Sequence, residues 1–378
     1  MALIVLTAGG TGGHVFPAEA LAAELLIRGH DLTLVTDSRG ATYGGVLGSL
    51  KTVRVRAGQV AGRGRVGQVM GLVDIARGAL QARKILRELN PAVTVGFGGY
   101  ASLPAMAAST LLGVPTIIHE QNAVLGRANR LLASRVSTIA TSFAAVQHLP
   151  AAVPTVHTGM PVRAAIAAVR DVPYPAVDPG QPLRVLVLGG SQGARALSDV
   201  VPGALRALPA GIRSRLEVAQ QCRPEDLDRV RAAYADAGLS NVTLESFFAD
   251  VPERLGACHL LIARAGASTV AEMTAAGRPA ILVPYPFATD DHQTANARAV
   301  DAAGGGWLMP QDRFTVEALA ARLKDLFDMP ASLQAAAGAA RAYGVPDAAR
   351  RLADLVEAKL PTTTAATSAA AVARETAQ

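Results

Sequence analysis

Cysteine, aromatic side chains and long apolar runs are all scarce in this chain. Its two cysteines, Cys222 and Cys258, stand far apart with no C-x-x-C spacing, which excludes a disulfide framework and a cysteine-built zinc site. Aromatic residues make up 4% of the sequence, too few to supply the stacking platforms of a nucleic-acid-binding protein, so no nucleic-acid partner is expected. No apolar stretch approaches the roughly 20 residues that a membrane-spanning helix needs. Met1 leads straight into the apolar run Leu3-Ile4-Val5-Leu6, without a basic leader or cleavage signal, and a cytoplasmic location follows as the expectation.

Glycine, by contrast, is abundant: 36 in 378 residues, half of which are hydrophobic. That composition fits an α/β protein with many tight strand-to-helix turns, and the length suggests two domains. The stretch Thr7-Ala8-Gly9-Gly10-Thr11-Gly12-Gly13-His14 follows the first apolar run and opens a helical pattern. A second unit repeats the plan: Leu183–Leu188 leads into Gly189-Gly190-Ser191-Gln192-Gly193 and another helical pattern. Two such units, each followed by alternating apolar runs and amphipathic stretches, predict two tandem doubly wound domains. Strands are expected at 32–35, 93–95, 116–119 and 138–140, then at 216–219, 242–244, 260–262 and 280–283. The proline-rich stretch 172–182 reads as a linker, and the Ala/Thr-rich segment after Pro361 reads as a disordered tail.

The glycine turns are not dinucleotide or P-loop fingerprints. Starting from Gly10, G-x-G-x-x-G places Val15 where the third glycine belongs, and no G-K-[ST] occurs. Charge is uneven. Residues 51–90 carry nine basic side chains against Asp74 and Glu88, a surplus of seven in a chain whose net charge is +6. Apolar residues interleaved at roughly helical spacing suit either a solvated basic helix or contact with an anionic membrane surface.

Five motifs, the two glycine turns among them, add specificity. They are G-G-T-G-G-H-x-x-P from Gly9, G-G-Y-x-S-x-P from Gly98, H-E-Q-N from His119, G-G-S-Q-G-A from Gly189 and G-A-S-T-V-A-E from Gly266. Their order and content resemble the MurG family of glycosyltransferases, which add N-acetylglucosamine to the lipid-linked muramyl-pentapeptide precursor of peptidoglycan. The resemblance runs from about residue 3 to 360. Its one noted departure is Met160, where the family commonly has Asn before P-V-R.

The resemblance implies a GT-B fold: two Rossmann-like domains facing each other across a cleft, with residues 1–162 meeting the acceptor and residues 163–345 the donor. A helix at about 346–360 would cross back to the first domain. UDP-N-acetylglucosamine would be the donor substrate, with no tightly bound cofactor. The undecaprenyl-pyrophosphoryl muramyl-pentapeptide would be the acceptor, met at the cytoplasmic face of the membrane by a peripheral enzyme. Other proteins of cell-wall synthesis are admitted as partners.

Residue by residue, the resemblance assigns Glu272 to the ribose diol of UDP, a task suited to a carboxylate that can accept from two hydroxyls. Ala267, Ser268, Thr269, Val270 and Ala271 would bring backbone N–H groups to the phosphates and ribose, and Ser191 would face the diphosphate. Phe248 matches the position beside the uracil. Arg163 would clamp phosphate or sense closure, while Asn122 and Gln293 offer amides to sugar hydroxyls and carbonyls. Gly98, Gly99 and Tyr100 would meet the pyrophosphate and sugar of the acceptor. Thr11, Gly12 and Gly13 would line the same spot as His14.

The acceptor hydroxyl must lose a proton as it attacks, and His14 suits a general base. It could equally hydrogen-bond a phosphate, and Glu120 is the rival base. Two acidic pairs, Asp226-Leu227-Asp228 and Asp290-Asp291, are similar to the Asp-x-Asp metal motif of other transferases. Both sit at helix starts, where acids are expected anyway, and no protein-held metal is expected. Another GT-B glycolipid transferase, a UDP-N-acetylglucosamine epimerase and a silent sugar-nucleotide sensor are the alternatives.

Overall fold

Short runs rich in Val, Ile and Leu, each ending in a turn that leads to a helix, build two parallel sheets in a computed structural model of the chain. It describes residues 1–9, 12–37, 43–58, 65–190 and 193–361, without the side chains of 65–69 and 72. The expected tail therefore lies outside the described residues apart from Pro361. The first sheet contains β1 (Leu3–Thr7), β2 (Asp31–Asp37), β3 (Lys51–Val55), β4 (Val93–Gly96), β5 (Thr116–Glu120), β6 (Thr138–Thr141) and β7 (Thr155–His157). Its order is β3-β2-β1-β4-β5-β6-β7. The second contains β8 (Leu183–Leu188), β9 (Leu216–Gln221), β10 (Val242–Glu245), β11 (Leu260–Ala263), β12 (Ala280–Leu282) and β13 (Gly306–Leu308), ordered β10-β9-β8-β11-β12-β13.

All eight expected strands form. Helical crossovers cover both faces of a parallel sheet, so its inner strands read as continuous apolar runs; Ile4, Val5 and Leu6 are all fully buried. The strands absent from the expectation, β3, β7 and β13, lie at sheet edges. All three residues of β7 are exposed, and charged residues interrupt β3. In β13, glycine is needed for close approach: a Cβ on Gly306 would lie 2.6 Å from the Ala280 carbonyl oxygen.

The stretch 172–182 is anchored to the second half of the chain. Arg278, 1% exposed, donates to the carbonyls of Val172 and Pro173 as well as those of Leu255 and Gly256, and Tyr174 donates to His259 O. The helix Ala348–Glu357 returns to the first sheet, burying Leu352, Ala353 and Val356 in the same cluster as Leu21 and Leu25 of the helix Gly12–Ile27. Arg28 clasps this return, reaching Asp354 and Glu357 at 2.7 Å each and Glu24 at 2.9 Å.

His30 Nε2 lies 2.9 Å from Glu357 Oε1. That contact holds the Glu357 carboxyl below the ordinary glutamate range; partial burial opposes the shift and Arg28 adds to it. A depressed carboxyl stabilises the fold above its unfolded value of about 4.3, and the contribution is lost as pH falls through the lower folded value. Glu357→Gln is expected to cost roughly 0.5–1 kcal/mol at pH 7, the modest figure reflecting solvent exposure. The gap from the parent should close as pH falls below the ordinary glutamate range. Thermal unfolding followed by circular dichroism from pH 7 down through the acid range checks this.

Candidate active site

In an open parallel sheet, a crevice forms where neighbouring strands send their following helices to opposite faces. The first sheet has this point between β1 and β4, whose C-terminal residues Thr7 and Gly96 pair. The two exits lead into the helices Gly12–Ile27 and Gly99–Leu111. Gly98 and Gly99 take φ of 82° and 71°, a left-handed pair that side chains disfavour. Gly9 is equally constrained, since a Cβ there would stand 2.6 Å from Ala101 Cβ. His14 occupies the first turn of the helix Gly12–Ile27, and a Cβ on Gly99 would lie 3.4 Å from its Cδ2. His14, Gly12, Gly13, Gly98, Gly99 and Tyr100 thus gather at two convergent helix N-termini, a setting that favours anions. Thr11 lies outside the described residues.

The H-E-Q-N run ends β5 beside this crevice. Glu120 is 1% exposed, and its two carboxylate oxygens accept from the backbone N–H of Asn122 and Gly126 at 2.9 Å each and from Asn129 Nδ2 at 2.7 Å. A weaker contact from Asn122 Nδ2 at 3.4 Å completes the set. With these donors aimed at it, Glu120 organises the turn that follows β5. His14, in contrast, makes one side-chain hydrogen bond among the described residues, from Nδ1 to Gln121 Oε1 at 3.1 Å.

The second sheet has its crevice between β8 and β11, where Leu188 pairs with Ala263. Gly189 and Gly190 leave β8; Ser191 lies outside the described residues. From β11 the chain passes Gly266 into the helix Ala267–Ala276, so Ala267, Ser268, Thr269, Val270 and Ala271 form its first turns, with Glu272 one step on. Glu272 Oε1 receives Arg163 Nη2 at 3.2 Å. Burial raises its carboxyl above the ordinary range, and the Arg163 charge works against that. Arg163 Nε is buried without a partner, and its guanidinium lies 5.4 Å from the ring centroid of Phe16. One arginine therefore touches the helix that carries His14 and the helix that carries Glu272.

The remaining expected donor residues are distributed around this point. Gln293, in the first turn of the helix His292–Ala302, accepts from Tyr285 N at 2.9 Å through Oε1. The ring of Phe248 is buried beneath Arg254, 4.3 Å from its guanidinium, leaving only its backbone to meet a base; the exposed ring is that of Phe247. Met160 is also buried, lining a small junction cavity with Phe143, Val270 and Tyr343. An apolar side chain is at home there.

Two cross-cleft contacts were not foreseen. Asn296, fully buried, accepts from Ala123 N at 2.8 Å and donates to Asn122 Oδ1 and Ala265 O at 3.1 Å each. Its amide thus joins the turn after β5 to the turn after β11. Asp290 takes a left-handed φ of 53° and pairs with Arg127 at 2.8 Å and Arg130 at 3.1 Å. The hydrogen bond from Arg127 holds the Asp290 carboxyl below its ordinary range. This carboxylate spans the cleft. Asp226, the other suspected acid, is buried between Arg223 and Arg229. Among the described residues no group of three or more His, Cys, Asp or Glu is arranged to hold a metal.

Known proteins agree with this architecture. Glycosyltransferase family 28 N-terminal and C-terminal domains match residues 4–141 and 184–352 respectively. A protein of Paramagnetospirillum magneticum, named UDP-N-acetylglucosamine–N-acetylmuramyl-(pentapeptide) pyrophosphoryl-undecaprenol N-acetylglucosamine transferase, is 61% identical over 95% of this chain and 97% of its own. Its namesake in Rhodospirillum rubrum is 59% identical, covering 94% and 91%. The crystal structure of Acinetobacter baumannii MurG superposes with a TM-score of 0.77 at 30% identity, over 94% of this chain and 99% of that one. Two switch-point crevices joined across a cleft, on a GT-B framework shared with these relatives, place the chain in the MurG family of N-acetylglucosaminyltransferases.

Proposed function

We propose that the chain transfers N-acetylglucosamine from UDP-N-acetylglucosamine to the C4 hydroxyl of undecaprenyl-pyrophosphoryl N-acetylmuramyl-pentapeptide, releasing UDP. The relatives' shared activity supports the reaction class. The observation that carries the division of labour is Arg163, set between Phe16, two residues from His14, and Glu272. Donor nucleotide belongs on the second-half side, with Glu272 accepting from the ribose hydroxyls. The acceptor pyrophosphate belongs at the convergent N-termini of the helices Gly12–Ile27 and Gly99–Leu111.

The transfer is a direct displacement. The acceptor oxygen forms a bond to the anomeric carbon, the bond to the diphosphate oxygen breaks, and UDP leaves with the electron pair. His14 takes the hydroxyl proton, and the α-linkage inverts to β. Glu120 already serves as an acceptor to backbone and amide N–H groups, so His14 is the better base. The diphosphate gains stabilisation from the N-terminus of the helix Ala267–Ala276 and from Arg163.

The enzyme works at a membrane surface on this reading. No helix among the described residues is long and apolar enough to cross a membrane. The helix Arg65–Leu89 does present Met70, Val73, Arg77, Leu80, Lys84 and Arg87 outward at helical spacing, while Ala82 and Leu86 face the core. Met70 is 62% and Leu80 68% exposed. A face of this kind suits the headgroup region of an anionic bilayer. Arg63, also counted in the basic segment, lies outside the described residues.

Glu272→Ala is expected to weaken UDP binding by on the order of 2–4 kcal/mol, the loss of two charge-assisted hydrogen bonds. Calorimetric titration checks it, and unchanged affinity would remove the ribose assignment. His14→Ala should lower turnover roughly 10²–10⁴-fold and leave UDP affinity nearly intact. Steady-state kinetics with acceptor, alongside the same titration, separates a base from a binding residue. UDP release without acceptor would point instead to an epimerase, and none at all to a sensor. Reversing Arg77, Lys84 and Arg87 to Glu should reduce sedimentation with anionic vesicles while sparing turnover of a soluble short-chain acceptor. Equal sedimentation would make the helix face an ordinary solvated one.

A further inference from the structure

Gln121 sits directly behind His14, and its hydrogen bonds can be oriented one by one. The side chain is 2% exposed. Its Nε2 lies 2.9 Å from Phe97 O and 2.9 Å from His119 O, two carbonyls that can only accept. The amide cannot be turned around, because its own oxygen would then face both carbonyls without a proton between them. His119 agrees with this orientation. Its Nε2 lies 3.1 Å from Gly159 O, which also only accepts, so Nε2 carries the ring proton. His119 Nδ1 is then a lone pair, and it faces Gln121 Nε2 at 3.1 Å. Complete burial keeps this ring neutral, pushing His119 down to about 4.

With the amide fixed, Oε1 is the end that meets His14 Nδ1 at 3.1 Å. An amide oxygen accepts and never donates, so the proton between them belongs to His14 Nδ1. A neutral His14 carries one ring proton, and Nε2 is left with its lone pair. Nε2 is the edge turned toward the glycine pair, where a Cβ on Gly99 would lie 3.5 Å away. The opposite tautomer, with Nε2 protonated, has no free base on that edge.

We propose that Gln121 is a positioning residue that fixes His14 in its Nδ1–H tautomer and leaves Nε2 as the proton-accepting atom of the transfer. The inference rests on His14 being the base. Gly159 O, His119, Gln121 and His14 form one directional chain in which every donor meets an acceptor. An amide achieves this without a charge. A carboxylate in its place would press against the carbonyl oxygens of Phe97 and His119, so glutamate is a poor substitute despite its shape.

The test uses full-length protein labelled with ¹⁵N histidine, above the histidine titration range, with His14 identified among the seven histidines by its loss in His14→Ala. Long-range proton–nitrogen correlation should show His14 protonated at Nδ1 and bare at Nε2 in the parent. Protonation at Nε2 in the parent overturns the proposal whether or not any variant folds. In Gln121→Met the Nδ1–H preference should disappear. Turnover should fall about 10–100-fold, with the KM for UDP-N-acetylglucosamine within about twofold of the parent. Full turnover in Gln121→Met, with His14→Ala inactive, overturns the positioning role and leaves the base in place. Full turnover in His14→Ala removes the base assignment alone, and the parent spectrum still decides whether Gln121 sets the tautomer.

Discussion

Parallel pairing is the constraint on which the rest of this molecule depends. A strand that runs beside its predecessor in the same direction needs a crossover, so the strands of each sheet end on one edge. Each such end is followed by a turn that must reverse into a helix, and the helix arrives with unpaired N–H groups leading. The order β3-β2-β1-β4 sends neighbouring exits apart and opens a crevice, and β9-β8-β11-β12 does the same in the second sheet. Glycine is required at these points by close approach, as at Gly9 against Ala101. The motifs and the topology are therefore one fact seen twice.

Two crevices make a cleft only if something relates them. Asn296 does so with an amide buried between the turns after β5 and β11, both of its polar ends occupied. A buried amide without those partners would cost roughly 1–3 kcal/mol, so this juxtaposition of the sheets is favoured over others by polar satisfaction as much as by apolar contact. At the rim, Asp290 adds an ion pair to Arg127 and Arg130 while holding a backbone conformation that a non-glycine residue seldom adopts. Its neighbour Gln293 opens the next helix. Cross-cleft contact and the geometry of one proposed sugar-binding residue are thus set in the same short loop.

What the sequence disclosed follows from how each residue is constrained. Inner strands were legible because burial on both faces demands a continuous apolar run. Of the four edge strands, β3, β7 and β13 were not, since an edge has one neighbour and tolerates charge, exposure or glycine; β10 was, because Val242 and Leu244 keep its alternation. The glycine turns and His14 stood out by their residue types in those settings, whereas Glu272 was singled out by the family resemblance. The roles of Asn296 and Gln121 did not stand out, although Gln121 belongs to the H-E-Q-N motif: each is an amide whose decisive partner lies outside its own segment. Asn296 reaches one 174 positions away, and Gln121 reaches His14 across 107. Adjacent aromatics posed a similar problem, because only packing decides that Phe248 goes inside under Arg254 while Phe247 stays in solvent.

The distribution of charge around the cleft then takes on meaning. Formal charges gather on the donor side, at Arg163 and Glu272, and at the rim, at Asp290 with its two arginines. Behind His14 the polar groups are neutral: an amide, a buried imidazole and backbone carbonyls. A proton arriving on His14 creates a charge where none stood, and it has no route inward through Gln121 and His119. The neighbouring His119 is held neutral first by burial, and a charge on His14 lowers its affinity for a proton further. In the proposed transfer the imidazolium therefore persists while the diphosphate departs across the cleft, and the two opposite charges appear together. Hydrogen bonds that are already made when the proton moves need no reorganisation, which is the advantage of a neutral, fully paired support over a flexible charged one.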